Sequence, residues 1–272
     1  MTNTMAIAVF DSGMGGLTVL HEAMGRIPGE TFLYYADTMH VPYGTKPKEF
    51  VRNCVLTSVR AIMEQPEPVR AVVVACNTAT SIAIGALRET YPEIPIIGME
   101  PAVKPAVELS RGIGKRVLVT ATPLTLQESK YHELVKRVDD RAIVDSMPLP
   151  ELVRFCEELQ FEGDEIDAYF RDRFAGLRLA EYGTIVLGCT HFPFFRRALG
   201  RVLPSHIRMI DGSSGTVKRL REVLGVAEKP QYGKGSVRFM ISGGDASYLE
   251  KLKTALRRYD EMVREAETEA KR

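Results

Sequence analysis

Nine short apolar runs recur along the chain: "AIAVF" (6–10), "FLYYA" (32–36), "AVVVA" (71–75), "IPIIG" (94–98), "RVLVTA" (116–121), "AIVD" (142–145), "TIVLG" (184–188), "IRMID" (207–211) and "VRFMIS" (237–242). Helix-length segments such as 46–64, 125–138, 165–181 and 245–258 lie between them. Strands that alternate apolar and polar residues have one wet face; these runs are nearly continuous, so both faces are expected to be covered. Buried strands separated by helices predict an α/β fold with open, mainly parallel sheets. Such sheets bind ligands beyond the carboxyl ends of their strands, which makes the polar residues just after each run the ones to examine.

Those strand ends repeat. "AVFDSG" around Asp11 is echoed by "LVTATP" around Thr120 to Pro123, and "YADTM" (35–39) by "VDSM" (144–147). "ACNT" (75–78) is echoed by "GCTH" (188–191), and "PIIG" (95–98) by "RMID" (208–211). The order is kept and the offset is nearly constant. This predicts two similar α/β domains related by a pseudo-two-fold axis: 1–99 with a returning segment 211–272, and 100–210. Two such halves would enclose a cleft, with Cys76 and Cys189 on opposite walls.

A formal net charge of +1 gives nucleic acid or an anionic membrane no bulk attraction, so a small ligand is expected. No apolar run approaches the roughly 20 residues that span a bilayer. The start, "MTNTMAIAVFDSGMGG", has no basic region before its short apolar segment and reads as a first strand, six residues preceding Ile7. The four cysteines, Cys54, Cys76, Cys156 and Cys189, form no CxxC pair. That pattern predicts reduced thiols in the cytoplasm and no zinc site of the usual spacing.

A lone cysteine after a strand is usually a small buried hydrophobe. Here two cysteines hold matching positions, each followed by hydrogen-bonding residues: Asn77 and Thr78 after one, Thr190 and His191 after the other. Helices expected to start just beyond them would supply amides and positive potential to a thiolate. Cys54 and Cys156 lie in helical patterns without polar company and are assigned to the core. "FDSGMGG" (10–16) has the spacing of neither phosphate fingerprint, yet its glycines permit a tight turn at a helix start. Asp11 is either a helix cap or a carboxylate aimed into the cleft. Ser12 follows it. In "ADTMHVPYGTKP" (36–47), Tyr43 and Gly44 form a turn that either packs at the core edge or offers donors to the cleft; His40 and His21 are expected at the surface. Glu151, in the first turn of a helix, either compensates the helix dipole or serves the site. Thr122 and Thr125 sit at another strand-to-helix junction as caps or ligand donors. His191 is assigned to proton exchange with a nearby thiol rather than to a metal.

Together, "DSGMGGLTVL", "VPYGTK", "ACNTAT" and "LGCTHFP" resemble, in order, the motifs of the aspartate/glutamate racemase family, across nearly the whole chain. Ala36 and Phe192 are small departures, where Gly and Tyr are common. The resemblance implies a cofactor-independent enzyme that interconverts L- and D-glutamate, supplies D-glutamate to peptidoglycan and works as a homodimer. It implies proton exchange by Cys76 and Cys189, assisted by Asp11, His191 and Glu151. It further implies substrate contacts from Ser12, Tyr43, Gly44, Asn77, Thr78, Thr122 and Thr190. Two other readings compete: a racemase for aspartate, hydantoins or a related carbon acid, and an amino-acid-binding sensor without turnover. The charged end, 260–272, reads as a solvated helix terminus.

Overall fold

The computed structural model describes residues 5–226 and 235–270. Expectations for residues 1–4, 227–234 and 271–272, in the N-terminus, the returning segment and the charged tail, lie outside the described residues.

In the first half, strands β1 (Ala6–Asp11), β2 (Thr31–Ala36), β3 (Val69–Val74) and β4 (Ile96–Gly98) alternate with helices α1 (Leu17–Arg26), α2 (Lys48–Met63) and α3 (Asn77–Thr90). The second half carries β5 (Arg116–Ala121), β6 (Val144–Pro148), β7 (Tyr182–Leu187) and β8 (Arg208–Asp211). Its helices are α4 (Val103–Arg111), α5 (Pro123–Gln127), α6 (Ser129–Val138), α7 (Glu151–Glu157), α8 (Asp164–Phe174) and α9 (Arg196–Val202). Then follow α10 (Ser213–Leu224), β9 (Ser236–Ile241) and the long α11 (Ala246–Ala270).

The strands form two parallel sheets, in the orders β4-β3-β1-β2-β9 and β6-β5-β7-β8. Written from its other edge, the second sheet is β8-β7-β5-β6, the same order as β4-β3-β1-β2. The repeat heard in the sequence is therefore a repeat of topology. Even a register shift recurs, at Ala6/Ile7 between β1 and β3 and at Arg116/Val117 between β5 and β7. β9 joins the first sheet by pairing Phe32 with Val237 and Tyr34 with Phe239.

Several boundaries moved for local reasons. β4 keeps only three residues because Pro95 has no N–H to donate. Ala142 takes a positive φ of 54°, and the Asp139 carboxylate accepts from the amides of Ile143 and Val144, so β6 starts at Val144 and not at residue 142. The helix expected over 125–138 breaks at Glu128, whose ψ is 140°. α3 does start beside its cysteine: Cys76 is the N-cap, with Sγ accepting from the amide of Ala79. No α-helix starts directly after Cys189. A 3-10 turn, Phe192–Phe195, intervenes, with Pro193 in its first turn. His21 is tucked against α11, paired with Asp260 at 3.1 Å, and is not a free surface group.

That turn is held by its aromatic residues. Phe192, Phe194 and Phe195 are all fully buried. Phe194 stacks on Phe161 with centroids 4.8 Å apart and meets Tyr259 of α11 at 4.9 Å. Since His191 immediately precedes the turn, this cluster fixes where its ring sits. Removing a buried aromatic forfeits transfer energy and leaves a void. Phe194→Ala is expected to destabilise the fold by about 3–5 kcal/mol, read from chemical denaturation. Ile113→Ala, at a position 62% exposed, is expected to stay within about 0.5 kcal/mol of wild type.

Candidate active site

Asp11 closes β1 and is fully buried. Its Oδ2 accepts from the Gly13 amide at 3.0 Å, and its Oδ1 accepts from Thr190 Oγ1 at 3.1 Å. Burial raises its pKa to about 6, although the nearby charge of His191 and these hydrogen bonds pull the other way. Thr190 belongs to the second half, so the carboxylate bridges the two. The glycine turn after Asp11 permits that closeness. A Cβ on Gly13 would collide with Glu157 Oε1, and one on Gly15 with the His191 ring. The turn accommodates protein side chains from across the cleft.

Cys76 lies two residues beyond β3, with Sγ 3.6 Å from Ser12 Oγ and 3.5 Å from the Ala79 amide. Burial, followed by the charge of Asp11, pushes this thiol up to about 12; the charge of Cys189 adds to the push. It is a thiol at neutral pH. Beside it, Asn77 is buried, and neither its Oδ1 nor its Nδ2 has a hydrogen-bond partner among the described residues. Orphaned amide groups of this kind are uncommon and suit a side chain held for a ligand. Thr78 joins the halves: its Oγ1 lies 3.0 Å from Thr122 Oγ1 and 2.9 Å from Thr125 Oγ1. Thr122 also caps α5. Gly44 packs so closely on Thr122 that a side chain there would clash. Tyr43 is buried beside it, but its hydroxyl donates to Asp37 Oδ2 at 2.6 Å.

Cys189 lies two residues beyond β7, the equivalent position. Its Sγ is 3.7 Å from His191 Nδ1, while His191 Nε2 meets Glu157 Oε1 at 2.8 Å. Glu157 also accepts from the Met14 amide at 2.9 Å and, through Oε2, from the Tyr248 hydroxyl. Burial opposes charge on both members of the His191–Glu157 pair, yet partners win at each. Cys189 and Glu157 hold the imidazole well above its ordinary range, and His191, Tyr248 and Met14 hold the Glu157 carboxyl below its own. Both shifts describe an imidazolium–carboxylate pair. Behind it, Thr18 Oγ1 donates to the Thr190 carbonyl at 3.2 Å.

The structure brings together Asp11, Ser12, Cys76, Asn77, Thr78, Thr122, Cys189, Thr190 and His191. It does not bring Glu151 to them. The Glu151 side chain is 51% exposed and pairs with Arg154 at 3.4 Å on the outer face of α7. Glu157, six residues on, stands at the other end of that short helix, turned toward His191. Glu157 and Tyr248 were both missed by the sequence reading. A carboxylate at the inner end of "LPELVRFCE" was the available signal for Glu157; Tyr248, contributed by α11, left none. Among the described residues the one cluster of three metal-ligating side chains, Asp37, His40 and Cys54, includes neither Cys76 nor Cys189.

Comparison with known proteins gives this geometry a lineage. The family model described as Asp/Glu/Hydantoin racemase matches residues 18–220. The glutamate racemase of Halothermothrix orenii is 51% identical over 241 residues, covering 88% of this chain and 93% of that protein. The crystal structure of Escherichia coli glutamate racemase in complex with L-glutamate and the activator UDP-MurNAc-ala superposes with a TM-score of 0.80 at 32% identity, covering 94% of this chain and 95% of that one. That of the Francisella tularensis glutamate racemase in complex with D-glutamate gives 0.78 at 25% identity, covering 94% of each chain. The chain belongs to the Asp/Glu/Hydantoin racemase family.

Proposed function

We propose that this protein interconverts L- and D-glutamate by proton exchange between two thiols. The observation that carries the reading is the pair of buried cysteines at equivalent strand ends, each with its own polar partners. Two relatives described above are structures holding L- and D-glutamate, which supports the choice of substrate. Racemisation takes a proton from one face of a carbon and returns one to the other, so it needs an acid and a base on opposite sides. The domains that would supply the two walls are 1–99 with 211–272, and 100–210. Support for this partition comes from the two sheets, although β8 reaches Asp211, one residue past the boundary.

The free site is asymmetric in a useful way. Cys76 is held as a thiol and is ready to donate. Cys189 lies 3.7 Å from His191 Nδ1, and in this scheme it is the group that abstracts from L-glutamate. Starting from L-glutamate, Cys189 takes the Cα proton while Cys76 delivers its own to the opposite face; the reverse reaction exchanges the roles. Asp11 and Ser12 serve Cys76; His191, oriented by Glu157, serves Cys189. Asn77, Thr78 and Thr190 are placed to hold substrate carboxylates, with fixed donors stabilising the developing negative charge. Tyr43 shapes the wall through its ring, and Gly44 lets that wall approach Thr122. No cofactor enters this scheme. The homodimer, the cytoplasmic location and a role in peptidoglycan synthesis extend the same reading; four free thiols support a reducing compartment, and the dimer is tested by light scattering.

The direct test is incubation with L-glutamate in deuterated water, without added pyridoxal phosphate or metal, followed by chiral analysis. D-glutamate carrying deuterium at Cα is expected; aspartate and hydantoins serve as comparison substrates. Binding without exchange would leave only the sensor reading. Cys189→Ser is expected to impair abstraction from L-glutamate most, and Cys76→Ser abstraction from D-glutamate. A substrate analogue that eliminates a leaving group after one deprotonation separates the two half-reactions.

Glu157 and Glu151 give a paired test. Glu157→Gln should lower kcat by about a hundredfold through loss of the charge that sustains the imidazolium, while Glu151→Gln should stay near wild type. The pH profile gives another. Asp11 has its pKa near 6, so it is charged above that pH and protonated below it. If the carboxylate form assists Cys76, kcat/KM falls as pH drops through about 6, and Asp11→Asn removes that limb while lowering the plateau.

A further inference from the structure

We propose that Asp37, His40 and Cys54 form a binding site for a divalent transition ion of borderline softness, such as zinc or cobalt. One ligand atom from each residue can be chosen so that all three lie within 4.8 Å of one another. The three come from different parts of the first half: Asp37 follows β2, His40 lies in the next turn, and Cys54 sits inside α2. Residue spacing alone could not have revealed the grouping.

The arrangement has the features a metal site needs. His40 Nδ1 stands 2.9 Å from both Asp37 oxygens, so an ion can take the place of the hydrogen shared between them. A tetrahedral zinc ion with bonds of about 2.0–2.3 Å keeps its ligand atoms roughly 3.5 Å apart. With the chosen atoms within 4.8 Å of one another, small side-chain movements bring them to that spacing. His40 can follow, since its side chain is 35% exposed. Asp37, by contrast, is already oriented. Tyr43 Oη donates to its Oδ2 at 2.6 Å and Ser242 Oγ to its Oδ1 at 2.7 Å. Donors behind a ligating carboxylate fix its direction and leave lone pairs free for the ion. A donor set of oxygen, nitrogen and sulfur suits zinc or cobalt and is poor for calcium or magnesium. Binding releases the Cys54 thiol proton to solvent, and a water completes the coordination from the exposed side of His40. Because Tyr43 hangs from Asp37, occupancy of the site would bear on the turn that carries Tyr43 and Gly44.

Cobalt(II) titration tests this by spectroscopy. The protein carries Cys76→Ser and Cys189→Ser, so that the other paired thiols do not compete. One cobalt ion per chain is expected, with a thiolate-to-metal charge-transfer band and the intense visible bands of four-coordinate cobalt. Cys54→Ala should abolish the charge-transfer band. His40→Ala, at a half-exposed position that the fold tolerates, should weaken binding at least about tenfold, and Cys156→Ala should change nothing. The site assignment is overturned if no charge-transfer band forms, if the band survives Cys54→Ala, if it is lost in Cys156→Ala, or if His40→Ala binds as tightly as its parent. Zinc should likewise raise the thermal midpoint of the parent more than that of His40→Ala; equal shifts would count against the site.

Discussion

Charge buried between the two halves governs how they meet. Asp11, His191 and Glu157 lie close together where little water reaches them. An isolated ion in such a place costs several kcal/mol, and partners must offset that cost. Asp11 comes from β1, His191 from the segment after β7, and Glu157 from the end of α7. None of these charges is satisfied by its own element. Thr190 and the Gly13 amide hold Asp11; Met14, Tyr248 and His191 hold Glu157. The sheets can therefore be brought together in only a narrow range of positions, and the glycines at 13 and 15 exist to allow it.

The same charges make the two thiols unlike. Cys76 sits near an anion, and its proton is held firmly. Cys189 sits near a cation. A strictly symmetric site would have to break its symmetry before the first proton moved. Here the surroundings already differ, with a carboxylate near Cys76 and an imidazolium beside Cys189.

Duplication gives a physical reason for the fold. A parallel sheet gathers its ligand-facing residues at one end, because every strand points the same way. Two copies set end against end present two such collections to one small volume. The four-strand order is kept in both, which puts Cys76 and Cys189 at matching points, two residues past β3 and β7. The segments after the two cysteines differ. Asn77 begins a helix directly, whereas the residues after Cys189 form a turn pinned by Phe192, Phe194 and Phe195. β9 pairs with β2 at the edge of the first sheet, and α11 brings Tyr248 to Glu157.

Much of this was present in the sequence. Apolar runs marked the strands, the constant offset marked the repeat, and several of the polar residues after the strands meet where the two halves face each other. These signals are local: burial of a strand and the turn that ends it depend on neighbours a few residues away. Which side chain reaches which partner does not. Glu151 and Glu157 are both carboxylates on one short helix, and only the packing of α7 against His191 distinguishes the exposed one from the one paired with the imidazole. The sequence left Tyr43 either at the core edge or offering donors to the cleft; in the fold its ring is buried and its hydroxyl donates to Asp37. The meeting of Asp37, His40 and Cys54 likewise required α2 to fold over that strand end. The sequence by itself determined where strands end and which chemistry waits there; the tertiary structure decided which charges share a buried space, because that grouping is set by contacts between residues 34 to 179 positions apart.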